Sequence, residues 1–116
     1  MNKKNFATIV VLVLPILICF VIFCQNSRIS PDKAEKLCYE VMGEKDEITG
    51  FAFSFVYDKT IEKEGKEYHV IRAEWFVNNN HLSYIGNFFV SVDGKEIYDG
   101  YEDSDTLKIE NLVWNK

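Results

Sequence analysis

The chain has 116 residues, a formal net charge of −5 and 15% aromatic side chains. Once an apolar N-terminal segment is set apart, about ninety residues remain, enough for one small domain with a core built on Phe, Tyr and Trp, and this composition argues against disorder. After residue 24, 11 Lys and Arg face 18 Asp and Glu, a net of −7 with no basic stripe, which argues against a nucleic-acid partner.

Residues 6–24, FATIVVLVLPILICFVIFC, carry no charge. As a helix they would span about 28 Å, close to the thickness of a bilayer's hydrocarbon layer, and Pro15 is tolerable in such a helix. Lys3 and Lys4 predict a cytoplasmic N-terminus, which places the rest outside the cytoplasm at the cell membrane. Three fates compete at Cys24: a cleaved signal, lipidation of the thiol, or a retained anchor. Cleavage wants a shorter apolar core and small residues before the cut, and lipidation wants a small residue where Phe23 stands. Length and flanks therefore favour a retained single-pass anchor over residues 1–24.

Residues 25–30 read as a linker. Ser30 before Pro31 is an N-cap followed by a good first helical residue. Ala34, Leu37, Cys38, Val41 and Met42 then recur at helical spacing until Gly43, which predicts an amphipathic helix over 31–42. Cys38 reads as a small core residue on this stripe. Residues 50–58 alternate, with Phe51, Phe53, Phe55 and Tyr57 on one face, and predict a first strand. Residues 68–77 predict a second, with Ile71, Ala73, Trp75 and Val77 opposite Val70, Arg72, Glu74 and Phe76. Asn78 to His81 is turn material. Residues 82–92 form a third strand, with Leu82, Tyr84, Phe88 and Val90 placed on one face and Gly86 marking a bulge or close packing. Asp93-Gly94 signals a hairpin into a short strand over 95–100. Residues 101–105 read as an acidic loop, and residues 106–114 as a weakly alternating edge strand. The expected fold class is α+β: a membrane helix, then one amphipathic helix on a three- to four-stranded antiparallel sheet, the domain filling 31–116.

The helix with AEKL, the Tyr68-His69-Val70 strand and the run from Val90 to Lys95 followed by Glu96, Ile97 and Tyr98 resemble the small extracytoplasmic PepSY-type modules. The resemblance covers roughly residues 31–98. It implies a non-enzymatic role, such as restraining a peptidase or contacting a cell-envelope component.

Chemistry is sparse. Neither His69 nor His81 has a ligand-like neighbourhood, and no Ser or Cys sits in a nucleophile motif. No enzyme activity and no cofactor are expected. Asp99, Glu102, Asp103 and Asp105 bring oxygen ligands close in sequence, although the calcium-loop pattern is missing. They support an alternative reading, a lipoprotein lipidated at Cys24 that binds Ca²⁺ or a small ligand. The leading expectation is a membrane-anchored interaction module with a protein partner. Phe89 turns away from the Phe88 face and, with Val70 and Phe76, would form an exposed apolar patch unless residues 107–114 cover it.

Overall fold

The computed structural model describes residues 27–78 and 80–116. They form one helix, α1 (Pro31–Met42), and five strands: β1 (Ala52–Lys63), β2 (Lys66–Val77), β3 (His81–Ser91), β4 (Glu96–Asp103) and β5 (Thr106–Asn115). The strands make a single antiparallel meander in the order β1-β2-β3-β4-β5.

Helix α1 starts where its cap directs. The Ser30 hydroxyl accepts from the Lys33 backbone N–H at 3.2 Å, Pro31 needs no donor partner at the first position, and Asp32 lies in the first turn where the helix dipole favours it. It ends at Gly43, whose φ of +90° suits a residue without Cβ, and whose N–H bonds the Tyr39 carbonyl at 2.8 Å. Its buried stripe, Ala34 and Cys38, packs on Phe55, Ile71, Ala73, Val90 and Ile97.

Turn chemistry sets the hairpins. Glu64 and Gly65 both have positive φ (53° and 80°), as do Ser104 and Asp105 (47° and 69°). Two such residues between antiparallel strands match the strand twist. Asp93 and Gly94 lie in a longer, four-residue connection over 92–95, held by the Gly94 N–H bond to the Ser91 carbonyl and by the Ser91 and Asp93 side chains.

Irregularities in register decide which face each residue sees. Asp58 is an extra residue in β1 and Ile85 in β3, and β5 slips against β4 on both sides of its Tyr98–Leu112 pair. Bulges of this kind add twist. The sheet consequently curls over its second face, bringing Leu107 and Ile109 of β5, with Ile61 and Tyr98, onto Tyr68, Val70 and Phe89. Gly100 permits this: a Cβ there would stand 1.9 Å from the Lys108 carbonyl oxygen and 2.7 Å from the Phe89 ring.

The structure departs from several sequence expectations. The sheet has five strands rather than three or four and dominates over one short helix. The segment expected as an acidic loop is strand through Asp103, its turn confined to Ser104 and Asp105. The bulge at Ile85 turns Leu82 and Tyr84 to the face opposite Phe88, since Tyr84 pairs Glu74 while Phe88 pairs Ile71. No helix among the described residues is long and apolar enough to cross a membrane, and the segment expected to do so, 6–24, lies outside them. Residues 28–30, expected as linker, belong to the domain: the Ile29 N–H bonds the Val92 carbonyl at 2.7 Å, and Arg28 grips Glu67 with two bonds of 2.8 and 3.0 Å.

Candidate functional site

These contacts give the sheet a direction. Arg28 and Ile29 enter beside the start of β2 and the 92–95 connection, so the 64–65 turn and the C-terminus share the entry end. The opposite end carries the 43–51 segment, the end of β2 with the start of β3, and the turn at 104–105. That far end is acidic: Glu44, Asp46, Glu47, Glu102, Asp103 and Asp105 outnumber Lys45.

The expected patch of Val70, Phe76 and Phe89 divides. Val70 and Phe89 are cross-strand partners, fully buried beneath Leu107 and Ile109. Phe76 lies six residues along β2, about 20 Å away at strand rise, and is 40% exposed. Around it the second face is open: Val56 and Leu82 are 50% and 45% exposed, and Tyr84 is also exposed. Phe76 pairs Leu82 directly. Arg72 lies 4.6 Å over the Tyr84 ring and makes an ion pair of 3.3 Å with Glu74, a contact that orients the polar middle of this surface. Strict alternation carried through Gly86 misplaces Leu82 and Tyr84; its φ of +150° at the bulge is the departure that re-aims them. Val56, paired with Arg72 on β1, keeps the face that alternation predicts.

Beside this face the sheet splits. Strands β3 and β4 pair over four residues, Asn87–Val90 with Ile97–Gly100, and then separate. The hydroxyl of Tyr84 spans the gap: it accepts from the Glu102 backbone N–H at 3.1 Å and donates to the Asn87 side-chain oxygen. A cleft of about 320 Å³ lies where the strands part, floored by Ala73, Ile85 and Phe88 and walled by Asp99, Tyr101 and Glu110.

The acidic residues proposed for Ca²⁺ are strung out along β4 and its turn. Asp99 is engaged by the Asn111 N–H at 2.9 Å, and Glu102, Asp103 and Asp105 are exposed. Among the described residues no three His, Cys, Asp or Glu side chains come together in a way that could hold a metal ion. His81 is exposed at the start of β3. His69 is buried, its Nε2 bonded to the Ile29 carbonyl and its Nδ1 to the Thr60 hydroxyl, both at 2.8 Å. Since a carbonyl only accepts, Nε2 carries the proton, and the ring serves to fasten the entry segment to the sheet. Burial pushes the Cys38 thiol up to about 12, so it is no nucleophile at neutral pH. Cys24 lies outside the described residues.

Comparison of the chain with family models, with curated proteins and with solved structures returned no match.

Proposed function

We propose that this protein is a non-catalytic binding module, held at a membrane through residues 6–24 and displayed outside the cytoplasm, whose open sheet face meets a protein partner. The observation that carries the reading is the separation of two regions. The chain enters the domain at one end, through Arg28 and Ile29, while Val56, Phe76 and Leu82 stand exposed toward the other. Apolar side chains grouped on an uncovered face are the usual mark of an interaction surface. A tether at one end and a sticky face at the other suit a domain that reaches outward. The PepSY-type resemblance supplies the class of partner, a peptidase or another cell-envelope component.

Photo-cross-linking in native membranes tests this. A benzophenone side chain replaces Phe76 or Leu82 in the full chain, and Lys36, exposed on α1, serves as the control position. A discrete adduct from positions 76 and 82, absent from position 36, is expected. No adduct from 76 or 82, or equal adducts from all three, would remove the proposal. Intact mass of the same extract distinguishes a retained anchor from lipidation or cleavage at Cys24.

A further inference from the structure

We infer that the bare edge of β3 from Leu82 to Ile85, facing the β4–β5 arm across the cleft, takes up an extended, lysine- or arginine-rich peptide segment as an added strand. This inference rests on the binding-module reading and names the partner chemistry of one part of that surface.

The first ground is an imbalance between edges. An unpaired strand edge is a template for another chain, and proteins normally blunt it. Strand β1 is blunted along its first half: the N–H groups of Phe53, Phe55 and Tyr57, spaced by two along its outer edge, donate to the Glu44 carbonyl at 2.9 Å, the Tyr39 hydroxyl at 3.0 Å and the Glu35 carboxylate at 2.6 Å. On β3 the pairing with β4 stops at Asn87, although β3 continues back to His81 and β4 runs on to Asp103. At Gly86 the Gly100 carbonyl still closes in, 2.9 Å from where a Cβ would stand, but from Leu82 to Ile85 the side of β3 facing β4 has no ladder partner among the described residues. At this level the arms are joined by the Tyr84 hydroxyl, which gives the edge N–H of Glu102 an acceptor that an incoming carbonyl could replace.

The second ground is chemistry. A strand lying here would place alternate side chains beside Leu82 and Tyr84 on one face and over Ile85 and Phe88 on the other. Acidic groups border that path: Asp99 and Glu110 line the cleft, Glu102, Asp103 and Asp105 follow on the arm, and Lys108 opposes them. Complementarity therefore selects a basic segment and disfavours a second copy of this acidic chain.

The full chain in detergent micelles is titrated with the fluorescent peptide KVKVKVK, with its acidic counterpart EVEVEVE, and with KVKVKVK N-methylated at alternate residues. Backbone amide exchange is followed over residues 82–85. The basic peptide is expected to bind at least tenfold more tightly than the other two and to slow exchange at Leu82 to Ile85. The exposed double variant Glu102→Lys with Glu110→Lys should lose at least tenfold in affinity. Binding that tolerates N-methylation, or that leaves exchange at 82–85 unchanged, would overturn the strand-addition inference. So would no binding of any peptide. If adducts still form at Phe76 under those outcomes, the module reading stands and only the edge inference falls.

Discussion

The two faces of the sheet are covered by different means and to different extents. The first is covered by α1, a separate element with its own cap and stop signal, which meets the sheet through Ala34 and Cys38. The second is covered by the sheet itself, where β5 curls so that Leu107 and Ile109 lie on Val70 and Phe89. A helix-covered face needs one amphipathic stripe. A self-covered face needs bulges, a glycine at the closest approach and a correct register, and each of these is a single point of failure. The contrast also explains why the second face is only half covered, leaving Val56, Phe76 and Leu82 open toward the far end.

The sharpest way to break this comparison is to treat Phe89 and Phe76 as a pair. They share a face, but Phe89 is fully buried and Phe76 is not. Phe89→Ala should cost about 3–5 kcal/mol in a urea or thermal unfolding experiment. Phe76→Ala should cost well under that and instead weaken partner adducts. Near-equal stability losses would mean that the second face is uniformly core and carries no docking surface. Next in size is Gly100→Ala. Its methyl group would meet the Lys108 carbonyl at 1.9 Å, so β5 must move away. A loss of about 1–3 kcal/mol is expected, typical of overpacking. Chemical-shift changes should concentrate on β4, β5 and the Phe89 cluster; changes spread equally to α1 would show that the two cores are not independent.

What the sequence disclosed follows the same division. The helix and its caps are local signals, and residues 31–42 form the expected element. The first two strands are local too, because Phe53, Phe55 and Tyr57, and likewise Ile71 and Ala73, alternate on the expected face. The fifth strand and the folded arm were only partly legible. A run such as Tyr101 to Asp105 looks like loop by composition, and nothing local says that Ser104 and Asp105 will take positive φ and turn a hairpin. The candidate surface suffered most. One extra residue at Ile85 reverses every side chain before it, so the face of Leu82 and Tyr84 cannot be inferred by counting from Phe88.

Tyr39→Phe probes the edges at smaller cost. The variant keeps the ring contact with Phe55, 4.7 Å between centroids, and deletes only the hydroxyl that accepts from the Phe55 N–H. About 1 kcal/mol of stability should be lost. The more telling readout is exchange: the Phe55 amide should lose protection while the ladder with β2 keeps its own. Light scattering on concentrated samples should also rise, because an edge N–H has been uncovered. Unchanged exchange at Phe55 would mean that water or a neighbour replaces the cap, and the imbalance between the β1 and β3 edges would then lose its force.

The smallest effect is silent at neutral pH and lies under the helix. The Cys38 thiol is buried on α1, and its pKa is raised by burial first and by nearby Glu35 second, from 9.0 to about 12. A thiol that ionises later when folded than when unfolded gives stability that is complete below pH 9 and is lost as pH rises toward about 12. Unfolding free energy should therefore decline on the alkaline side, and Cys38→Ala, whatever its offset at pH 7, should flatten that decline. Other groups, the Tyr98 hydroxyl held up by its bond to Glu96 among them, also contribute to alkaline loss, so the informative quantity is the difference in slope between the two proteins. A thiol reagent at pH 8 should modify Cys38 only at the rate of unfolding or of helix detachment. Fast modification of the folded protein would mean that α1 lifts from the sheet readily, and the helix-covered face would then be the weaker of the two.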